Sequence, residues 1–258
     1  IPPEISKDPV ILDVGSYTGD QAVEFADRFP QGHIFAFEAH PDSAQKVRQR
    51  VVHLQNITVI EAAVCDVAGK VAFQAVDRGN LGASSLFRAS GHNDVSSISQ
   101  TSVDVQGLRL DDWAKLAGID RFDLIWMDLQ GAELLALRGM GDMIDSVKAI
   151  QLEVTYRELY HGQAMWPEVR CFLEGHGLEL VDEWMDVSGY FGDAVFVRTS
   201  ELKGSEKREL ANTADQSERM LDHFDVPYNF GSCPNPTHAY EEENPQCGDW
   251  VRIELRIV

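Results

Sequence analysis

The sequence predicts an α/β fold in which helices cover both faces of a mostly parallel, Rossmann-like sheet. Short apolar runs alternate with helical stripes of apolar residues along 10–198, and this alternation is typical of βαβ units. A turn that contains Gly15 and Gly19 follows the first run. The 258 residues are 44% hydrophobic, which is enough for the core of one ordinary α/β domain with some chain remaining.

Parallel strands are predicted wherever a short apolar run stands between turn or helix signals. The predicted strands cover 10–14, 33–37, 57–64, 122–127 and 147–154. Helices are predicted from apolar residues at helical spacing and from proline or glycine near their ends. The predicted helices cover 20–29, 41–51, 110–117, 132–137 and 167–176.

Three further elements complete the predicted domain. An extra strand is expected at 71–76, and a closing hairpin at 178–184 and 194–197. The segment 77–101 is rich in Gly, Ser and Asn and has no periodicity. We therefore predict a long surface loop there, of the kind that often carries function.

The chain changes character after the hairpin. Residues 199–215 are polar and charged, as expected of a linker. We therefore predict one domain over 1–198 and a shorter second unit over 216–258.

The charge and the cysteine content limit the classes of partner. The net charge of −20 makes nucleic acids and anionic membrane surfaces poor partners. The four cysteines are sparse and form no C-x-x-C pair, and no apolar run approaches the roughly 20 residues that span a bilayer. These features favour a reducing compartment, and we expect a cytoplasmic protein that acts on a small molecule.

The turn after the first predicted strand has the spacing of a cofactor site. Gly15 and Gly19 let the backbone approach a ligand closely, and Glu38 ends the second predicted strand, where a carboxylate can accept both hydrogen bonds of a ribose diol. The pattern D-x-G-x-x-x-G lacks the third glycine of the dinucleotide motif. Asp13 suits a cationic sulfonium better than a diphosphate, so the pattern favours S-adenosylmethionine over a nicotinamide cofactor.

Four motifs resemble those of the FkbM family of methyltransferases, over 10–198. They are Ile-Leu-Asp-Val-Gly-Ser-Tyr-Thr-Gly-Asp (11–20), Phe-Ala-Phe-Glu-Ala-His-Pro (35–41), Gly-Ala-Ser-Ser-Leu (82–86) and Met-Asp-Leu-Gln-Gly-Ala-Glu (127–133). The resemblance implies a seven-stranded sheet with an antiparallel last hairpin, and methyl transfer to an oxygen. Tyr17 stands where the family commonly has Asn, and Gln130 where it often has Glu.

Candidate site residues follow from these motifs and from the strand ends. For the cofactor site we predict Asp13, Gly15, Ser16, Tyr17, Gly19, Glu38, Ala39 and Ala63. For catalysis, where a general base would take the proton of a hydroxyl acceptor, we predict Asp128, Glu133, Glu153 and His161. For substrate contact we predict Ser84 and Ser85, in the long loop.

Each candidate also has a structural interpretation. Asp128 can cap the following helix, Glu133 can accept from backbone donors at that helix's start, and Glu153 can pair with a buried arginine. His161 can be a solvated loop residue, and Ser84 and Ser85 can be turn residues. Trp126 and Trp166 are expected to pack in the core.

The segment 216–258 resembles the opening of an iron–sulfur scaffold of the NifU/IscU type, in its stretches 218–231 and 243–258. Cys247-Gly248-Asp249 matches the first cluster-ligand motif of that family, and alternating apolar residues after it predict a strand. The other ligand cysteines of the family have no counterpart here, so Cys247 and Asp249 are lone remnants. We predict no metal binding by this chain, since one cysteine cannot hold a cluster.

Three functions therefore compete. The first is an S-adenosylmethionine-dependent methyltransferase, acting on a small-molecule or glycosidic hydroxyl. The second is a non-catalytic adaptor that links a degenerate cofactor domain to a partner in iron–sulfur assembly. The third is an NAD-type oxidoreductase, which the missing glycine disfavours.

Overall fold

The computed structural model describes residues 5–91, 98–201, 238–243 and 250–255 of the chain. The chain divides into two compact units, Ile1–Leu210 and Ala211–Val258. In the second unit the described backbone forms an antiparallel hairpin of His238–Glu243 with Trp250–Leu255. The second of these strands lies where the sequence predicts one.

The described part of the first unit alternates strands and helices. The strands are β1 (Val10–Val14), β2 (His33–Glu38), β3 (Ile57–Glu61), β4 (Ala63–Val64), β5 (Gly69–Arg78), β6 (Ser99–Leu108), β7 (Leu124–Met127), β8 (Ala149–Thr155), β9 (Leu178–Met185) and β10 (Phe191–Arg198). The helices are α1 (Asp20–Arg28), α2 (Pro41–Val51), α3 (Leu110–Ala117), α4 (Glu133–Arg138) and α5 (Trp166–Gly175).

The main sheet has seven strands in the order β3-β2-β1-β7-β8-β10-β9. The first five strands of this order are parallel, and β10 runs antiparallel to both β8 and β9. Every residue of β1, an inner strand of this sheet, is buried. The predicted α/β fold, with its antiparallel last hairpin, is confirmed.

Helices pack on both faces of the sheet because successive strand residues point to opposite sides. On one face α1 and α2 bury a cluster that includes Ile34 and Ala36 of β2. On the other face Trp113 of α3 packs edge-on against Phe35 and Phe37, with ring centroids 4.9 and 5.0 Å apart.

The predicted third strand, 57–64, is two strands in different sheets. β3 pairs with β2, whereas Ala63–Val64 pairs with β6. The change occurs at Ala62, whose N–H donates to the Glu38 carbonyl. The sequence of 57–64 does not show this break, because both β3 and β4 consist mainly of apolar residues although they belong to different sheets.

A three-stranded sheet, β4-β6-β5, stands beside the main one. The predicted loop 77–101 is wrong at both ends, because β5 extends to Arg78 and β6 begins at Ser99. β6 has no clear sequence pattern, since most of its residues are polar or exposed. Its partner β5 carries the buried face, where Phe73 and Ala75 pack with Ala63.

Trp166 packs in the core as expected, fully buried against Phe196 at a ring distance of 5.8 Å. No helix in the described residues combines the length and the apolar character that crossing a bilayer requires.

Arg198 joins three segments at the far end of β10. Its guanidinium donates to the carbonyls of Val147 at 2.9 Å, His176 at 2.5 Å and Ile144 at 2.5 Å. Val147 and Ile144 lie at the end of a 3₁₀ turn before β8, and His176 ends α5. Arg198 is the described donor to the Val147 and His176 carbonyls, whereas the Ile144 carbonyl also accepts from the Val147 N–H at 3.1 Å.

Replacing Arg198 by Met should destabilise the first unit by roughly 2 kcal/mol or more, because the Val147 and His176 carbonyls lose their described donor and the Ile144 carbonyl loses one of two. Urea unfolding followed by circular dichroism measures the change. Arg48→Met is the matched control, since Arg48 makes an exposed ion pair with Glu61 and should cost no more than about 1 kcal/mol. Equal losses in the two variants would contradict the role of Arg198.

Candidate active site

The turn after β1 lies against the chain that follows β7. Gly15 has φ +91°, and a Cβ atom there would lie 1.8 Å from the carbonyl oxygen of Asp128. The N–H groups of Gly15 and Ser16 both donate to the Phe37 carbonyl, at 3.0 and 2.9 Å. Only glycine fits between these strand ends, so this one residue brings the ends of β1, β2 and β7 together.

Asp13 supports this turn from inside the domain. Its carboxylate is buried and accepts a hydrogen bond from the Ser16 hydroxyl at 2.5 Å. Burial raises the pKa of Asp13 to about 7, against the opposing effect of the Ser16 bond. The pair therefore lies beneath the turn, and neither residue lines the cavity described below.

Glu38 joins the turn to the end of β2. Its Oε2 accepts from the Tyr17 N–H and its Oε1 from the His40 N–H, both at 2.7 Å. Burial raises the pKa of Glu38 despite these bonds. His40 in turn caps α2, because its Nδ1 accepts from the Asp42 N–H at 3.2 Å.

A cavity opens at this edge of the sheet and contains many of the predicted residues. Those on its wall are Gly15, Tyr17, Glu38, Ala39, Ala63, Ser84 and Asp128. Its apolar side, which includes Val64, Phe73 and Leu86, and its turn Asn80–Gly82 were not predicted. Phe73 lies on β5 of the three-stranded sheet, and Leu86 lies in the segment after β5. No local sequence pattern indicates how these two residues pack.

Tyr17 has an unusual backbone for a residue with a side chain, with φ +47°. Its side chain is 39% exposed, and a Cβ atom at Gly82 would lie 3.6 Å from two of its ring carbons. The ring thus lies beside the Asn80–Gly82 turn, at the opening of the cavity.

Three of the predicted catalytic carboxylates meet beside the cavity. Oxygens of Asp128, Glu133 and Glu153 lie within 4.8 Å of one another. The Gln130 amide donates to Asp128 Oδ1 at 2.7 Å and to Glu153 Oε2 at 3.0 Å. Glu153 thus accepts from an amide instead of pairing with a buried arginine, and Asp128 does not cap α4, whose first turn has no side-chain cap.

Glu133 shapes the loop before α4. Its Oε1 accepts from the N–H groups of Leu129 at 2.9 Å and Gly131 at 3.2 Å, which is the structural interpretation of this residue. Burial raises its pKa to about 7.

The carboxylates raise each other's proton affinity. Burial raises the pKa of Asp128, and it raises the pKa of Glu153 well above the usual value, with further contributions from Asp128, Glu133 and Asp193. Asp193 was not predicted. It faces Glu153 across the antiparallel β8–β10 pair, a register that the sequence alone does not fix.

His161 is not brought into this cluster by any described contact. Its side chain is exposed, and its Nδ1 lies 3.1 Å from Glu158 Oε1. Of the two predicted serines, Ser84 holds a turn and Ser85 joins two segments of the chain. Ser84 Oγ donates to the Leu81 carbonyl at 2.7 Å, and Ser85 Oγ donates to the Gln130 carbonyl at 2.8 Å.

Cys247 and Asp249 lie outside the described residues, so the iron–sulfur resemblance of 216–258 stays a prediction.

Comparison with known proteins places this chain among methyltransferases. The family model described as "Methyltransferase FkbM domain" matches residues 13–180. A 2-O-methyltransferase, NoeI, of Sinorhizobium fredii is 34% identical over 165 residues, which are 60% of this chain and 67% of that protein. Methyltransferase 1 of Beauveria bassiana is 28% identical over 200 residues, 69% of this chain and 76% of that protein.

A third relative is the hexuronic acid methyltransferase AglP of Haloferax volcanii, 22% identical over 152 residues and 58% of the length of each protein. The family match covers the turn at Gly15, Glu38 and the Asp128–Glu133 loop together. This chain belongs to the FkbM family of methyltransferases.

Proposed function

We propose that the protein is an S-adenosylmethionine-dependent O-methyltransferase whose acceptor is a hydroxyl group of a small molecule or glycoside. One observation carries the proposal: Gly15, Glu38 and Asp128 line a single cavity at the carboxyl edge of the sheet, where α/β folds bind their ligands. Two relatives support the acceptor class by their names, a 2-O-methyltransferase and a hexuronic acid methyltransferase.

The residues of the cavity fit the cofactor. Each oxygen of Glu38 accepts one backbone N–H and keeps a second lone pair for a ribose hydroxyl. Phe73, Leu86 and Val64 offer an apolar wall to an adenine ring. When bound, S-adenosylmethionine supplies a methyl group that its sulfonium has already activated.

We assign the general base to Asp128. A hydroxyl acceptor loses its proton as the new carbon–oxygen bond forms, so a base beside the cavity assists. Asp128 lines the cavity, and its raised pKa gives it a higher proton affinity than an ordinary carboxylate. Glu153 supports it as a second carboxylate, whereas the contacts of Glu133 favour a role in shaping the loop.

The other predicted residues have supporting parts in the proposal. Asp13, Ser16 and Gly19 hold the cofactor turn, and Ser84 contributes to the wall. Ser85 and the exposed His161 are assigned no contact with the reacting atoms. The net charge of −20 supports a small-molecule substrate over a nucleic acid or a membrane surface, and a cytoplasmic location is part of the proposal.

Replacing Glu38 by Gln should weaken the binding of S-adenosylmethionine and S-adenosylhomocysteine by roughly tenfold or more, because a ribose acceptor is lost. Titration calorimetry measures the two affinities. Glu61→Gln is the matched control, since Glu61 is the exposed β3 partner of Glu38 in the sheet and should bind as the wild type does. Unchanged affinity in a folded Glu38→Gln protein would refute the assignment.

Replacing Asp128 by Asn should lower methyl turnover by roughly 10²- to 10⁴-fold, because the base is lost. Transfer of a radiolabelled methyl group to methyl glycosides of a neutral hexose and of a hexuronic acid measures the rate. Asp104→Asn, an exposed change on β6, should leave it unaltered. A wild-type rate for Asp128→Asn would show that Asp128 is not the base.

Asp13 should make the folded state less stable as the pH rises. Its pKa is raised from 3.8 to about 7 in the folded state, so the native protein holds a proton that the unfolded chain releases. Between pH 4 and about 7 this group lowers the unfolding free energy by up to about 1.4 kcal/mol per pH unit.

Asp13→Asn should therefore show a shallower loss of stability over that pH range in thermal unfolding, while Asp104→Asn keeps the wild-type slope. Identical slopes for all three proteins would mean that the pKa of Asp13 is not raised.

A further inference from the structure

Gln130 has hydrogen bonds to three separate segments of the chain. Its amide Nε2 donates to Asp128 and Glu153, and the Tyr160 hydroxyl lies 2.9 Å from its Oε1. Its main-chain carbonyl accepts from Ser85 Oγ at 2.8 Å. Gln130 also lines the cavity, so it stands between the two carboxylates and the segments that carry Ser85 and Tyr160.

The charge of the two carboxylates and the hydroxyl of Tyr160 together orient the amide. Its NH₂ group faces Asp128 and Glu153, because a carbonyl oxygen in that position would repel both carboxylates. Its Oε1 therefore faces Tyr160. Burial and the nearby carboxylates raise the pKa of Tyr160, so that hydroxyl keeps its proton and donates it to Gln130 or to the Ala83 carbonyl, 3.0 Å away.

The backbone of Gln130 is in the left-handed region, with φ +53°. A left-handed backbone costs energy for any residue that has a Cβ atom. The neighbouring Gly131, also at positive φ, avoids this cost. A glutamine at such a position points to a role for its side chain.

We propose that Gln130 is a positioning residue whose amide holds Asp128 and Glu153 together as one proton-accepting pair, with Tyr160 fixing the direction of the amide. The proposal rests on the function proposed above. In the methyl transfer the acceptor O–H bond breaks, the O–CH₃ bond forms, the C–S bond breaks, and the proton passes to a carboxylate oxygen of the pair. Gln130 cannot ionise, so it donates to both carboxylates in every protonation state.

The titratable groups that face the pair lie on three separate segments of the chain. They are Glu133 at the start of α4, Asp193 on β10 and the neutral Tyr160, in addition to Asp128 and Glu153 themselves. All of the ionised groups among these are negative. An N–H donor shared by two carboxylates therefore stabilises their ionised forms against mutual repulsion.

Gln130→Met tests the proposal, because it keeps the side-chain volume, removes the donor and adds no charge. Thermal unfolding is measured at pH 5.5 and pH 8.5. The loss of Tm relative to the wild type should be larger at pH 8.5 by roughly 3 °C or more, since the ionised pair then lacks its donor. If the Gln130 side chain only filled space, the variant would lose the same Tm at both pH values.

Gln74→Met is the matched control. Gln74 is buried and its amide donates to the Ser102 hydroxyl at 3.3 Å, and among the described residues no hydrogen bond joins this amide to a carboxylate. Its loss of Tm should be the same at both pH values. An equal loss for Gln130→Met at the two pH values, or a larger loss at pH 5.5, would overturn the proposal.

A second variant, Tyr160→Phe, tests the part of the proposal that concerns Tyr160. Tyr160→Phe should show the same pH-dependent loss of Tm as Gln130→Met, to a smaller degree. A pH-independent loss of Tm would remove Tyr160 from the proposal.

Binding of S-adenosylhomocysteine by the wild type is measured in parallel. Failure of the wild type to bind refutes the proposed function, whereas normal binding with a pH-independent Gln130→Met loss refutes only the role of Gln130.

Discussion

The contact between Gly15 and the Asp128 carbonyl is the constraint on which the site depends. With no room for even a Cβ atom, the turn after β1 and the loop after β7 are held together, and the same turn is tied to β2 through the Phe37 carbonyl and Glu38. The cavity is the space left above these three strand ends. Every proposed cofactor or base residue is positioned relative to this contact.

The site contains several buried carboxylates, and their burial would cost free energy if they had no hydrogen-bond donors. Asp13, Glu38 and Glu133 are all buried, and each accepts a hydrogen bond from the turn or loop that it supports. Their burial is thus part of the folding of the site, because the backbone N–H groups of the turns need acceptors.

The features that the sequence predicts are those that depend on local pattern. The apolar run 10–14 and the glycines after it predict β1 and its turn, and Glu38 follows from its place at the end of β2. The contacts of Gln130 and Asp193 could not be predicted, because they depend on antiparallel register and on a left-handed backbone at a residue other than glycine. β6 was missed because its polar residues face outward, and the burial that defines it belongs to β5.

The separation of the three-stranded sheet from the main sheet has a consequence for how the cavity tolerates change. In the described residues, β5 and β6 pair with each other, β6 also pairs with β4, and no strand of the main sheet pairs with them. A change in the connection between β5 and β6 therefore leaves the strand pairing of the main sheet as it is. Leu86 of that connection lines the cavity and Ser85 bonds to Gln130, so such a change can reshape one wall of the cavity while Gly15 keeps its contact with Asp128.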